Sequence, residues 1–185
     1  LRRRGKDEGM KILGIDPGSV NCGYGLIRKI TPALRYSGTP SLQYLSSGRI
    51  AMQASKPLHE RLKELYVSLV DVISEYNPDE IAIEKIFFAK GIKAALSLGH
   101  TRGVALLSAA ASGIPIHEYS ALEVKKAVVG YGRADKNQVQ KMVKQILGVN
   151  RVLSADSADA LAIAICHANM TNVGRLCNNS ALRGA

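Results

Sequence analysis

Lys11-Ile12-Leu13-Gly14-Ile15-Asp16-Pro17-Gly18 decides how this chain is organised. An apolar run of strand length stops abruptly at a carboxylate and a Pro-Gly turn, which presents Asp16 at the end of a buried strand. Asp-Pro-Gly is also ordinary turn chemistry, because Pro pre-sets φ and Gly accepts positive φ. Alone, the stretch supports a turn and a functional acid about equally. Three further acids, placed where a folded chain could bring them to Asp16, shift the balance: Glu84, Asp156 and Asp159.

Working outward, Cys22-Gly23-Tyr24-Gly25-Leu26-Ile27-Arg28 reads as a hairpin partner whose glycines permit close backbone approach. Residues 31–41 form an irregular connection, and Leu42 to Ile50 a third strand, giving an antiparallel meander. Ser55 as cap and Pro57 in the first turn open a helix with Leu62, Leu65, Leu69 and Ile73 on one face, ended by Asn77-Pro78. Asp79 to Glu84 is a short strand arriving at Glu84. Its ordinary reading is a solvated edge carboxylate.

Residues 92–112 form a helix rich in small residues, with Gly99 and Gly103 on one face. That face is expected to be a packing seam within the chain, with a dimer face as the alternative. Ile114 to Tyr119 is a fifth strand, and Ser120 caps a short helix bearing Lys125 and Lys126. Asp135 with Gln138 makes a capping box for the next helix, which Gly148 ends. The last helix starts near Ser154 and is apolar almost all round, hence mostly buried. Asp156 and Asp159, at i and i+3, share one face of its first turns. The helix dipole favours an acid there by about 0.3–1 kcal/mol, which accounts for one such residue better than for two.

The chain's 185 residues suit one domain, expected over residues 10–170, with 1–9 and 171–185 as flexible tails and Met10 as a natural start. A net charge of +10 points to a polyanionic partner, nucleic acid ahead of an anionic membrane. Half of that excess lies between Ser120 and Arg151, where seven Lys or Arg face two acids. Cys22, Cys166 and Cys177 form no C-x-x-C pair, so reduced thiols, a cytoplasmic location and no zinc site are expected. Neither a secretory signal nor a membrane span is legible.

The expected architecture is an α/β mixed five-stranded sheet flanked by helices. With the strands ending at Asp16 and Glu84 parallel neighbours, both acids emerge at one edge, and the last helix brings Asp156 and Asp159 over it. Four carboxylates in a poorly solvated site demand cations. All-oxygen donors suit Mg²⁺ or Mn²⁺. Two ions about 3.5–4 Å apart are the arrangement that supports in-line phosphodiester hydrolysis. A basic surface around an acidic pocket fits the same chemistry.

Four motifs then carry a family resemblance: Leu13-Gly14-Ile15-Asp16-Pro17-Gly18 with Gly23-Tyr24-Gly25; Ile83-Glu84-Lys85-Ile86-Phe87; Val128-Val129-Gly130 followed by Lys136; and Ala155-Asp156-Ser157-Ala158-Asp159-Ala160-Leu161-Ala162. In this order and spacing, over about Met10 to His167, the chain resembles the RuvC Holliday-junction resolvases. The resemblance implies an RNase H-like fold and a homodimer that binds a four-way DNA junction and makes paired symmetric nicks during homologous recombination and DNA repair. It implies a branch-migration helicase complex as partner. It also implies that Asp16, Glu84, Asp156 and Asp159 are catalytic, metal-binding acids, that Lys125 and Lys136 contact phosphate, and that Phe87 stacks on an unpaired base, worth about 1–3 kcal/mol. The glycine-bearing helix would lie at the dimer interface.

Three rivals share parts of this pattern. A YqgF-type RNA-processing nuclease shares the strand-end Asp-Pro-Gly but is disfavoured by the Phe87 segment and the lysine-bearing region. An actin-like ATPase needs a second such turn and a second domain. A non-catalytic junction-binding protein has no use for four convergent acids.

Overall fold

The computed structural model describes residues 9–30, 41–85 and 91–181, with the side chains of the last helix described as far as Thr171. Strands β1 (Met10–Pro17), β2 (Asn21–Lys29) and β3 (Leu42–Ala51) form the antiparallel meander, followed by α1 (Leu58–Tyr76), β4 (Glu80–Lys85), α2 (Ile92–Ala111), β5 (Ile116–Ser120), α3 (Ala121–Val129), α4 (Lys136–Leu147) and α5 (Ala155–Ala181). The sheet order is β3-β2-β1-β4-β5. β4 lies parallel to β1, and β5 parallel to β4. The expected five-stranded mixed sheet is therefore present.

β1 is central and covered on both sides, which is why its apolar run shows no polar alternation. Leu13 and Ile15 face a core shared with Leu65, Leu69 and Ile73 of α1 and Ala105 and Ala109 of α2. Ile12 faces the opposite core, built with Val124, Val139, Val143 and the buried face of α5. Each fully buried Leu or Ile side chain among them contributes about 1.5–3 kcal/mol. Two-residue periodicity puts Asp16 on the α5 side with Ile12 and Gly14, and Glu84 there with Ala82.

At Gly14 and Gly23, α5 lies on the sheet backbone to backbone. A methyl group added at Gly14 would come within 2.0 Å of the Ala160 carbonyl oxygen, and one at Gly23 within 2.0 Å of the Asp156 carbonyl oxygen. The two glycines thus allow backbone-on-backbone contact where any larger residue would lift the helix. At the far end of β2, the Lys29 ammonium donates to the Ala168 carbonyl at 2.7 Å and to Thr171 Oγ1 at 2.6 Å.

The caps at Ser120 and Asp135 are complete capping boxes, and Gly148 takes the left-handed conformation that ends α4. Ser154 Oγ accepts from the Ser157 amide at 3.2 Å at the start of α5. Three details differ from the sequence reading. α1 starts at Leu58 with Pro57 at its N-cap and no side-chain cap, so Ser55 does not serve. α5 continues to Ala181, past the end expected near Met170. Among the described residues nothing lies within 4 Å of a methyl group at Gly99 or Gly103, so the α2 face bearing them forms no packing seam with the described chain. Residues 1–8, the connection 31–40 and residues 86–90, including Phe87, lie outside the described residues.

Candidate active site

The β1–β4 register pairs Ile15 with Ile83. The next residues along these parallel strands are Asp16 and Glu84, so two carboxylates leave the sheet side by side on the α5 face. α5 adds Asp159 from above, α3 adds Lys125 and α4 adds Lys136. These five side chains line one cleft of about 280 Å³ whose remaining walls include Val124, Val139 and Ile163. Five positions scattered over three helices and two strands thus meet at one point.

Asp156 does not line this cleft. Its backbone sits over Gly23, the residue that pairs with Asp16 across β1 and β2. Asp156 therefore opens α5 on the β2 side of Asp16, while Asp159 flanks Asp16 on the β4 side.

Electrostatics show the cost of this convergence. Burial, aided by the repulsion of Glu84 and Asp159, pushes the Asp16 carboxyl up to about 7. Burial also raises Glu84, which shares a hydrogen bond with Asp16. The physical picture is a carboxyl pair sharing a proton because two adjacent charges are too costly in so little water. Lys136 offsets part of that cost. Its ammonium lies 3.2 Å from Asp159 Oδ2, and that contact raises its pKa. Exclusively oxygen donors that retain a proton for want of counter-charge fit a hard divalent cation, whose binding would displace the proton. Asp16, Glu84 and Asp159 are placed to hold one, with Asp156 adjacent.

A family model described as crossover junction endodeoxyribonuclease RuvC matches residues 12–167. The chain belongs to the RuvC family of crossover junction endodeoxyribonucleases. It is 52% identical to the crossover junction endodeoxyribonuclease RuvC of Marinobacter nauticus over 94% of this chain and 90% of that one. Identity to the RuvC of Citrifermentans bemidjiense is 44%, covering 92% of this chain and 99% of that one. A solved structure of Thermus thermophilus RuvC in complex with a Holliday junction substrate superposes with a TM-score of 0.79 at 30% identity, covering 89% of this chain and 96% of that one. The fold is accordingly RNase H-like, as the motifs implied. The RuvC family makes this chain an endonuclease that hydrolyses DNA phosphodiester bonds.

One group escaped the sequence reading. Glu80, His117 and His167 bring their side chains together among β4, β5 and α5. Their wide separation in sequence leaves no local spacing to notice. The one available signal was the alternation Glu80-Ala82-Glu84, which puts Glu80 on the α5 face as surely as Glu84.

Proposed function

We propose that this chain resolves four-way DNA junctions by metal-dependent hydrolysis of one phosphodiester in each of two strands, with two Mg²⁺ or Mn²⁺ ions per active site. The observation that supports this reading is the convergence of Asp16, Glu84 and Asp159 with Lys125 and Lys136 in one cleft, in a chain whose relative is solved with a Holliday junction. Asp16, Glu84, Asp156 and Asp159 are assigned as the metal-binding acids. Bound divalent cations supply a nucleophilic water at neutral pH and neutralise charge at phosphorus. The chain's own residues do the positioning. Lys125 and Lys136 hold the phosphate backbone, and Phe87 stacks on a base at the junction centre. The apolar walls around Val124, Val139 and Ile163 limit water beside Asp16 and Glu84 and strengthen the electrostatics there.

Paired nicks need two active sites, and α2 offers the face to join them. Ile92, Leu96 and Leu107 are 82, 60 and 58% exposed on the same side as the open Gly99 and Gly103. Exposed apolar residues around a helical groove suit a second copy of the chain. A branch-migration helicase complex is the partner proposed to present the junction, in the cytoplasm. Among the described residues no helix is long and apolar enough to cross a membrane.

The deciding experiment offers a synthetic four-way junction, a linear duplex and single-stranded RNA, with Mg²⁺ or with EDTA, to the wild type and Asp16→Asn. Paired nicks confined to the junction, lost in the variant while junction binding persists, establish the reading. Binding without cleavage by the wild type leaves only an architectural role, and cleavage of RNA alone moves the assignment to RNA processing.

A further inference from the structure

We propose that Glu80, His117 and His167 form a second metal site, selective for a transition ion of the zinc class and separate from the acidic cleft. The three donor atoms all lie within 4.8 Å of one another. His117 Nε2 is 3.7 Å from Glu80 Oε2, and His167 Nε2 contacts that same oxygen directly. Zinc ligated at about 2.0–2.1 Å by nitrogen and oxygen spreads tetrahedral donors about 3.4 Å apart. The spacings here bracket that value, so small side-chain rotations admit the ion.

The surroundings are those of a metal ligand set. His167 is fully buried, and its other ring nitrogen, Nδ1, lies 2.6 Å from the Tyr119 hydroxyl. An imidazole that binds metal through one nitrogen commonly donates its other N–H to an oxygen, which sets tautomer and ring orientation. Tyr119 supplies that oxygen. An ionised Glu80 can only accept, so its contact is satisfied by Nε2–H, which leaves Nδ1 to accept from the Tyr119 hydroxyl. On binding, the imidazole is required to change tautomer, so that Nδ1–H donates to Tyr119 and the Nε2 lone pair faces the ion. The His117 and Glu80 side chains are 40% and 25% exposed, leaving a solvent-facing fourth position for water.

Two imidazoles and one carboxylate prefer Zn²⁺, Co²⁺ or Ni²⁺ over Mg²⁺. This separates the site from the all-oxygen cleft in chemistry as well as position. Glu80 and Glu84 lie at opposite ends of β4, about 13 Å apart at the rise of a strand. His167 and Asp159 lie two turns apart on α5, about 12 Å. An ion here would join β4, β5 and the middle of α5, two turns beyond Asp159 on the helix whose first turns carry Asp156 and Asp159. It clamps that helix to the sheet and takes no part in the bond broken.

The test is titration of the metal-stripped full chain with Co²⁺ in excess Mg²⁺, which fills the acidic cleft. Expected are the intense visible bands of four- or five-coordinate cobalt, saturating at one equivalent. His117→Ala, at a partly exposed position, removes the bands and weakens binding about 10-fold or more, and Tyr119→Phe weakens it about 10-fold. Asp16→Asn keeps them. In parallel, Zn²⁺ raises the melting temperature of the wild type and not of His117→Ala. Weak octahedral-type absorption, bands that survive His117→Ala, or bands lost in Asp16→Asn would each overturn the proposal. In that event Tyr119, His167 and Glu80 form only a buried hydrogen-bond chain.

Discussion

Lys136, the first residue of α4, reaches 3.2 Å from Asp159 on α5, although its own side chain is 77% exposed. So exposed a pair is worth about 0–1 kcal/mol, too little to explain its placement by stability. Its value lies in positive charge held at an acidic cleft. Lys136→Met is therefore expected to shift thermal unfolding by no more than a few degrees. It should cut junction cleavage about 10²–10³-fold, the loss typical of one electrostatic contact to a transition state. Equilibrium binding measured against salt should lose about one ion from its slope. Unchanged cleavage would remove Lys136 from the reacting phosphate.

Asp16 predicts an unusual pH dependence. Its folded pKa of about 7 stands above its ordinary 3.8, so the folded state keeps a proton that the unfolded state releases. Metal-free stability from this group is complete below the unfolded pKa and falls as pH rises through the folded one. Asp16→Asn escapes that loss. In EDTA the variant's melting temperature should exceed the wild type's by about 2–8 °C at neutral pH, with the gap shrinking toward about pH 4. Mg²⁺ should close the gap at neutral pH by stabilising the wild type. Melting profiles that run parallel across pH would contradict the buried, proton-sharing pair.

Gly23→Ala places a methyl group 2.0 Å from the Asp156 carbonyl oxygen, and neither backbone can turn aside as a side chain would. The expected cost is about 1–3 kcal/mol or more in denaturant unfolding. Cleavage at a temperature where the variant is fully folded should fall further than the lost stability explains, since α5 carries Asp156 and Asp159. A folded variant with full cleavage would show that the helix position is not critical.

The open face of α2 makes the last prediction. Leu96 and Leu107 are exposed in the single chain, so Leu96→Glu with Leu107→Glu should leave monomer stability within about 1 kcal/mol. Sedimentation should show a dimer for the wild type and a monomer for the double variant. A dimer that survives both charges would place the interface elsewhere.

The meander, the two strand-end acids and the acids on α5 were legible because each left a local mark: a two-residue or helical period, a strand-end acid, two acids opening an apolar helix; the parallel β1–β4 pairing entered only as a condition, which the register meets. The cap at Ser120 and the Asp135–Gln138 capping box were legible for the same reason, as such partners lie three residues apart, while the part Glu123 plays in completing a box at Ser120 was not read. What eluded the sequence depends on distance in the chain. Whether Gly99 and Gly103 face a neighbouring helix or open space is decided by where α1 stops covering α2. The meeting of Glu80, His117 and His167 follows from β4 pairing with β5 beneath α5, which no spacing announces. Ser55 failed as a cap because the helix starts after Pro57, whose ring already sets the entry of the chain.

The glycine seam has a mechanical consequence. Where α5 rests on β1 and β2, main-chain atoms act as a hard stop, and the height of the acids above the sheet is a constant of peptide geometry. The layer of α1 and α2 meets the sheet through side chains, which can repack, whereas α5 meets it at these two glycines through main chain, which holds the acidic edge to a fixed gauge.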